Sequence, residues 1–285
     1  MGRSRIPIRC LRNLLERYWR APTCWFAAGL IIPWPALGLQ LHSILPRHRL
    51  LWGLGLTVAF AASARLLRAV SLSGAIAGGL LAFLLFVGGG AGAFVTLVAV
   101  FLLAWMTTRM GYRRKRLLGT AEHHGGRTAS QIIANVGIAA TAALISLSSH
   151  HPAAWMVASS AALAEAASDT TSSEVGQAVG TSAYLITDFR PVPIGTDGGI
   201  SVQGTLAGIA GALLVAAVSW ATGMIAPHWL LPVAGAGVLG MFVDSFLGAS
   251  LERRGLLNND VVNFLSTVIA AAFALFLYWS RHGEF

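Results

Sequence analysis

Long apolar runs, separated by short polar segments, dominate the amino-acid sequence. The runs are continuous rather than alternating in polarity, which predicts helices rather than the strands of a membrane β-barrel. We expect an all-α protein, a polytopic transmembrane helical bundle of about eight or nine spans, the count depending on how the short runs are divided. The apolar runs lie at 24–45, 50–70, 74–90, 91–107, 130–149, 153–168, 205–225, 229–250 and 261–281.

The composition indicates that lipid is the solvent for most of the chain. Hydrophobic residues make up 55% of the 285 residues, charged residues make up 11%, and the mean hydropathy is +0.68. A soluble domain carries about 25% charged residues, so this chain has too few charges to cover a water-facing surface. The net charge of +9 does not predict a nucleic-acid site, because no soluble domain remains to display a basic patch.

Arginine-rich segments predict the orientation of the helices. Residues 1–23 form a basic tail and residues 108–128 form a basic loop, and basic residues in short segments stay in the cytoplasm. The segments 168–204 and 251–260 then fall on the same side. We predict an integral protein of a bacterial-type inner (plasma) membrane, with residues 24–70 as N-terminal transmembrane helices and with the N-terminus and the active site cytoplasmic.

Acidic residues within apolar helical sequence are the first functional candidates, since an acid at mid-bilayer costs about 2.5–3.5 kcal/mol. Glu165 and Asp169 are four residues apart and share a helical face, where like charges repel unless a cation or proton lies between them. Carboxylates with neighbouring hydroxyls suit Mg²⁺. The alternative is a helix end with solvated acids. We favour a functional interpretation for Asp169 and leave both open for Glu165 and Glu174.

A glycine-rich turn precedes the predicted helix at 205–225. Such a turn, at the N-terminus of a helix, can hold a phosphate with backbone N–H groups. It lacks the Walker pattern, and the single lysine, Lys115, lies elsewhere. The alternative is a re-entrant turn followed by Gly204, Gly208 and Gly211 for close helix packing. The candidate phosphate-binding residues of the turn are Gly195, Thr196, Gly198, Gly199 and Ser201, with Asp197 as a candidate catalytic acid.

Two further polar patterns lie on predicted helices. Gly237, Gly240, Asp244 and Gly248 share one helical face, which predicts a closely packed neighbour and a narrow polar slot around the aspartate. A structural interhelical hydrogen bond from this aspartate is the alternative.

A polar stripe is predicted to enter the bilayer from the basic loop. Its members, Arg127, Gln131 and Asn135, follow one another at four-residue steps, and Asn263 enters the last helix in a similar way. We expect these side chains to position phosphates, with interhelical hydrogen bonding as the alternative.

Six short motifs, in this order, resemble a known membrane family. They are Leu72-Ser-Gly-Ala-Ile-Ala-Gly78, Gly126-Arg127 with Gln131 and Asn135, Ser168-Asp169-Thr-Thr-Ser-Ser-Glu174-Val-Gly176, Gly195-Thr-Asp-Gly-Gly-Ile-Ser201 with Gly204-Thr-Leu-Ala-Gly208, Asp244-Ser-Phe-Leu-Gly-Ala249 and Val262-Asn263. Together they resemble the integral membrane family, formerly a domain of unknown function, that includes plant phytyl-phosphate kinase. The resemblance covers about residue 70 onward and implies a transmembrane catalytic core at 71–285.

The resemblance implies a prenyl-phosphate kinase that transfers a phosphate from CTP or ATP to a prenyl (phytyl-like) monophosphate, giving the diphosphate. The expected catalytic residues are Asp169, Asp197 and Asp244, and the expected cofactor is Mg²⁺, with Asp169, Glu174 and Asp244 as its ligands. The expected partners are the bilayer, the prenyl phosphate and the nucleotide, without nucleic acid.

Other functions remain open at this point. A membrane transporter of a small or lipid-linked anion also uses glycine-broken helices and intramembrane acids, although it should place polar residues toward both faces. A different lipid phosphotransferase or prenyltransferase is disfavoured because no regular acidic series follows Asp197-Gly198.

Overall fold

The computed structural model describes residues 47–121 and 125–282. The predicted tail at 1–23, the run at 24–45 and the histidine pair His123–His124 lie outside the described residues. The helices are α1 (Arg47–Leu66), α2 (Leu72–Arg109), α3 (Tyr112–Leu118), α4 (Ala129–Ser146), α5 (Pro152–Val179), α6 (Val202–Ala221), α7 (Leu230–Ser250) and α8 (Asn259–His282), with 3₁₀ turns at Pro227–Trp229 and Glu252–Arg254. The protein is all-α, as the sequence predicts.

The long helix α2 folds back on itself at Gly90, whose φ of 68° and ψ of −160° are non-helical. Phe60 of α1 packs edge-on against both Phe94 and Phe101 of the second arm, with ring centroids 5.7 and 5.1 Å away. At the other end of α2, Arg109 Nη2 donates a 2.6 Å hydrogen bond to the carbonyl of Leu67, just before the helix begins. The two ends of α2 therefore lie together, and its arms form a helical hairpin.

Helix α5 is the central element of the bundle. It contacts α2, α4, α6, α7 and α8, and nearly every residue from Val157 to Ser168 is buried. Alanine and serine dominate this stretch, and such small side chains allow helices to approach closely in a membrane. The helix runs to Val179, eleven residues beyond the predicted run at 153–168, because its polar second half lines a cavity rather than lipid.

Glycines on α6 and α7 face the backbone of α5. A Cβ added at Gly208 would come within 2.9 Å of the Ser168 carbonyl oxygen, and one at Gly237 within 2.9 Å of the Ala164 carbonyl carbon. Ser168 Oγ donates a 3.0 Å hydrogen bond to the Gly208 carbonyl. These contacts confirm the close helix packing that the sequence predicts for these glycines.

A small antiparallel sheet, absent from the sequence prediction, occupies the segment between α5 and α6. Its strands are β1 (Ala183–Leu185), β2 (Pro191–Val192) and β3 (Gly199–Ile200), in the order β2-β1-β3. Tyr184 is paired with Pro191 on one side and with Ile200 on the other. The sheet carries the glycine-rich turn to the start of α6.

Within the described residues, five helical segments are long and apolar enough to cross a membrane, and these include α2, α4, α6, α7 and α8. The expected count of eight or nine is not confirmed by this measure. One reason is that the hairpin of α2 contains both predicted runs, 74–90 and 91–107. A second is that the acids of α5 lower its hydropathy, and a third is that the apolar part of α1, Leu50–Leu66, is short.

Replacing Gly90 by alanine is expected to destabilise the protein by about 1–3 kcal/mol, because this backbone region is almost restricted to glycine. The matched control is Gly235→Ala, at an exposed helical position where an added Cβ meets no atom within 4 Å. Thermal unfolding of the two purified variants in detergent measures the difference. Equal melting temperatures would contradict the strained hairpin bend.

Candidate active site

A polar cavity of about 330 Å³ lies at one end of the bundle. It is formed by the N-terminal ends of α4, α6 and α8 and by the C-terminal halves of α5 and α7. The thirteen predicted catalytic, phosphate-binding and metal-binding residues line it: Arg127, Gln131, Asn135, Asp169, Glu174, Gly195, Thr196, Asp197, Gly198, Gly199, Ser201, Asp244 and Asn263. Glu165, whose role the sequence leaves open, does not line it. The structure thus brings these thirteen residues together, and their roles stay predictions.

The backbone of Arg127 is anchored between the first two helices. Its N–H donates to the Ala69 carbonyl at 3.1 Å, and its carbonyl accepts from Ser71 N at 3.0 Å. A side chain at Gly74 would collide with this carbonyl, and Gly126 adopts a φ of +73° where an added Cβ would lie 2.6 Å from Val70 N. The two glycines are therefore required for the position of the arginine at the edge of the cavity.

The other two members of the polar stripe are oriented by the start of α4. Gln131 Oε1 accepts a 2.8 Å hydrogen bond from the backbone N–H of Thr128, which caps the helix. Asn135 Nδ2 donates a 2.9 Å bond to the carbonyl of Gln131. Both amide groups consequently lie on the face of α4 that lines the cavity.

Carboxylates from α5 and α7 interact across the inner end of the cavity. Asp244 interacts electrostatically with Asp169, Glu165 and Glu252, and Ser266 Oγ lies 3.4 Å from its Oδ2. Glu165 is 1% exposed, and neither of its oxygens has a hydrogen-bond partner in the described part of the protein. Such a set of like charges is stabilised by a proton or a cation.

The glycine-rich turn packs on the C-terminal end of α7. A Cβ at Gly198, whose φ is +72°, would come within 2.6 Å of Ala249 Cα, and one at Gly248 would come within 3.0 Å of Gly198 N. Ser201 then caps α6 by accepting a 3.1 Å hydrogen bond from Gly204 N. The turn is thereby held against the helix that carries Asp244, with the N-terminus of α6 beside the cavity.

Glu174 forms an ion pair with Lys115, the single lysine of the chain. Lys115 Nζ lies 2.5 Å from Glu174 Oε2 and also donates to the carbonyls of Thr107 at 3.0 Å and Thr108 at 2.6 Å. An ammonium has three donors, and all three are used. Thr108 Oγ1 donates to the other oxygen of Glu174 at 2.8 Å, so this network joins α2, α3 and α5.

This network changes the interpretation of the basic loop at 108–128. The segment contains α3, and Lys115 is 1% exposed rather than on the surface. Its neighbour Arg114 donates to the carbonyls of Ala178 and Gly180 at 3.2 and 2.5 Å, at the C-terminus of α5 where a cation is favoured. At least two of the basic residues therefore stabilise the fold next to the cavity.

A profile of the family described as integral membrane protein DUF92 matches residues 55–271, more than half of the chain. The chain belongs to this DUF92 family. The matched region contains all of the candidate residues from Arg127 to Asn263.

Relatives of this DUF92 protein occur in three very different organisms. An uncharacterized membrane protein of Synechocystis is 35% identical over 189 residues, covering 64% of this chain and 72% of the relative. An uncharacterized membrane protein of Methanocaldococcus jannaschii is 31% identical over 211 residues, covering 74% and 87%. Protein VTE6, a chloroplastic protein of Arabidopsis thaliana, is 30% identical over 220 residues, covering 74% and 66%. No solved structure matches the chain.

The carboxylates of this DUF92 protein do not form a complete metal site by themselves. Within residues 47–121 and 125–282, no group of three or more His, Cys, Asp or Glu side chains is arranged to hold a metal ion. Mg²⁺, however, is commonly held by one or two carboxylates, with phosphates and water as the other ligands. The pair Asp169 and Asp244, which interact with each other, fits such a shared site. That Glu174 is a third ligand stays a prediction, and its oxygens already interact with Lys115 and Thr108.

Some cavity residues were not singled out from the sequence. Glu252 lines the cavity and interacts with Asp197 and Asp169. It lies eight residues, about two helical turns, after Asp244, a spacing that could have indicated the shared face. The adjacent Arg253 and Arg254 instead suggested an ordinary loop. Further lining residues include Thr120, Ser172, Ser173, Gln177, Ser245 and Asn259.

Replacing Glu174 by glutamine is expected to destabilise this DUF92 protein by about 3–5 kcal/mol, because it leaves the buried ammonium of Lys115 without a counter-charge. The control is Asp188→Asn, which removes an exposed ion pair with Arg190 and should cost at most about 1 kcal/mol. Thermal unfolding in detergent compares the two variants. The double variant Glu174→Gln/Lys115→Met should recover part of the loss, and no loss in the single variant would contradict a structural ion pair.

Proposed function

We propose that this protein is a membrane kinase that transfers a phosphate from a nucleoside triphosphate, CTP or ATP, to a prenyl (phytyl-like) monophosphate. The observation that carries the proposal is the convergence of acids, one arginine, amides and a glycine-rich turn in a single polar cavity. Membership of the DUF92 family supports it, since the motifs of this chain resemble the family that includes plant phytyl-phosphate kinase.

The cavity contains the parts that phosphoryl transfer needs. This reaction depends mainly on positioning and on neutralising phosphate charge. Arg127 supplies a fixed positive charge, and Gln131, Asn135 and Asn263 supply amide groups toward the phosphates. The N-terminus of α6, capped by Ser201, supplies backbone dipoles that favour an anion. Gly198 allows the glycine-rich turn to pack against Ala249 of α7, which keeps the backbone of the turn beside the cavity.

Asp169 and Asp244 are the residues that would hold Mg²⁺. The ion, when bound, supplies neutralisation of the phosphate charge. Two carboxylates that repel each other in a mostly buried position gain by sharing a cation, which explains why lipid-embedded helices carry them. Asp197 and Glu252, at the outer edge of the same cavity, extend this acidic surface toward the solvent.

A monophosphate acceptor suits this set of residues because it needs little proton removal. The second pKa of a phosphate monoester is about 6, so the acceptor is already an anionic nucleophile at neutral pH. One of its oxygens forms the new bond to the γ-phosphorus, while the bond from that phosphorus to the β–γ bridging oxygen breaks. The nucleoside diphosphate leaves with the bonding electrons. A free alcohol would require a general base instead.

We also propose that the cavity opens toward the cytoplasm, where nucleoside triphosphates are available. The basic residues of the segment 108–128 lie at the same end as the cavity, in the network around Lys115 and Arg114. The number of basic residues at this end of the bundle agrees with the tendency of such residues to remain on the cytoplasmic side of a membrane.

Asp169→Asn and Asp244→Asn are each expected to lower turnover by roughly 10²–10³-fold, the loss typical of removing a charge-stabilising group. Asp188→Asn, exposed and outside the cavity, is the control that should retain activity. The measurement is transfer of label from [γ-³²P]CTP or [γ-³²P]ATP to phytyl, geranylgeranyl or farnesyl monophosphate in detergent, with and without EDTA. Full activity in either cavity variant would overturn the site assignment. Absence of transfer by folded wild-type protein, with all acceptors and both nucleotides, would overturn the kinase.

The orientation has its own test. In a variant with Cys10 and Cys24 replaced by serine, a cysteine introduced as Asp188→Cys is expected to react with a membrane-impermeant maleimide only when the cytoplasmic face is accessible. Right-side-out and inverted membrane vesicles give the comparison. Labelling in the right-side-out vesicles would place the cavity on the opposite face.

A further inference from the structure

A second, largely apolar cavity lies beside the polar one. It has a volume of about 120 Å³ and is a groove between α1, the two arms of α2, and α4. Its apolar lining includes Phe60, Ala64, Gly78, Phe101, Ile132 and Val136. Ala166 of α5 lies at its base, one turn before the residues of α5 that line the polar cavity.

Two residues, Arg127 and Asn135, line both the groove and the polar cavity. Two further arginines also line the groove. Arg68 lies in the turn between α1 and α2, and Arg109 is the last residue of α2. Trp105 adds an indole N–H that has no hydrogen-bond partner among the described residues. The groove therefore has cationic and hydrogen-bonding groups at the end next to the polar cavity and hydrocarbon elsewhere, which matches an amphiphile with an anionic head.

We propose that this groove binds the hydrocarbon chain of the acceptor, with the acceptor phosphate at Arg127 and Asn135, and that the groove limits the length of chain that the protein accepts. This inference rests on the proposed function and assigns a separate subsite for the tail. The shared Arg127 and Asn135 would place the acceptor phosphate at the edge of the polar cavity, where the nucleotide would bind.

The length of the groove sets the length of the hydrocarbon chain that it can hold. On the second arm of α2 it extends from Arg109 back to Leu97, a separation of twelve residues that corresponds to a rise of about 18 Å. Near Leu97, Phe60 packs edge-on against Phe101 and Phe94, with centroid distances of 5.1 and 5.7 Å. In this proposal, these aromatic side chains form the end of the groove that is remote from the arginines.

The groove would select among acceptors by excluding chains that do not fit, and not by a gain in free energy from hydrophobic burial. A prenyl chain enters from lipid, whose tails are as apolar as the groove, so little hydrophobic driving force exists. A chain that fits gains packing contacts, whereas one that meets a filled groove is rejected. Gly78 is the position from which the groove can be filled, because an added Cβ would be in ordinary contact, 3.8 Å from Ile132 Cγ2.

The test compares Gly78→Leu with Gly235→Leu, the latter at an exposed glycine of α7 with no atom within 4 Å of an added Cβ. The kcat/KM values are measured with geranyl, farnesyl and geranylgeranyl monophosphate. Filling the groove is expected to lower the ratio of geranylgeranyl to geranyl activity by about tenfold or more, the scale of discrimination by pocket size. The control should keep the wild-type ratio. An equal loss with all three acceptors in Gly78→Leu would overturn the inference.

A labelling experiment keeps this inference separate from the kinase reaction. Wild-type protein is photolabelled with geranylgeranyl phosphate that carries a diazirine at the end of its chain, and the labelled peptides are mapped. Label on α1, α2 or α4 near Phe60 and Phe101, displaced by unlabelled geranylgeranyl phosphate, supports the tail site even where no phosphoryl transfer occurs, in which case only the proposed function fails. Equal displacement by phosphatidylglycerol identifies a site for bulk lipid and overturns the inference, as does label confined to other helices.

Discussion

The acids of α5 must be kept out of lipid, and the arrangement of the other helices follows from this requirement. A carboxylate in hydrocarbon costs several kcal/mol unless it is neutralised or shielded. Helices α2, α4, α6, α7 and α8 all contact α5, and Glu165 is almost fully enclosed. The helix that carries the buried acids is therefore also the helix around which the bundle is built.

Close approach of the surrounding backbones has a second effect. Where glycines face α5, as at Gly208, Gly211 and Gly237, helices meet without intervening side chains and leave no space. Space remains only where α5 becomes rich in hydroxyl and carboxyl groups, toward its C-terminus. Tight packing in the middle of the bundle and an open polar volume at one end are thus two results of one distribution of small residues.

The sequence indicated which residues lie together at one cavity better than it indicated the number of spans. Acids and amides in apolar helices are conspicuous, and all thirteen candidates line one cavity because alternate helix directions return the motifs to the same end. The boundary predicted between the runs 74–90 and 91–107 also coincides with the bend at Gly90. The ion pair of Glu174 could not be foreseen, since its partner lies 59 residues away and no local spacing connects them. The sheet at 183–200 was missed because its strands are two or three residues long and are fixed by tertiary contacts.

Helix α4 and the segment just before it have a special position, because they lie between an apolar groove and a polar cavity. Asn135 of the helix and Arg127 of the preceding segment line both. The start of this helix is in turn fixed by the parallel bridge between Arg127 and Val70. A lipid-like molecule and a water-soluble one could therefore meet at these two side chains without either leaving its preferred surroundings. The hairpin of α2 serves the same arrangement, since both of its arms form walls of the groove.

The burial of Lys115 has a practical consequence for handling the protein. The chain has one lysine and nineteen arginines, and the ammonium of that lysine is enclosed by two carbonyls and a carboxylate. Reagents that acylate lysine side chains therefore find no accessible target in the folded protein, and an endoproteinase that cleaves after lysine has one site, inside a helix. The appearance of acylation or cleavage at this residue reports opening of the bundle next to the cavity, so the protein carries a natural probe of its own integrity.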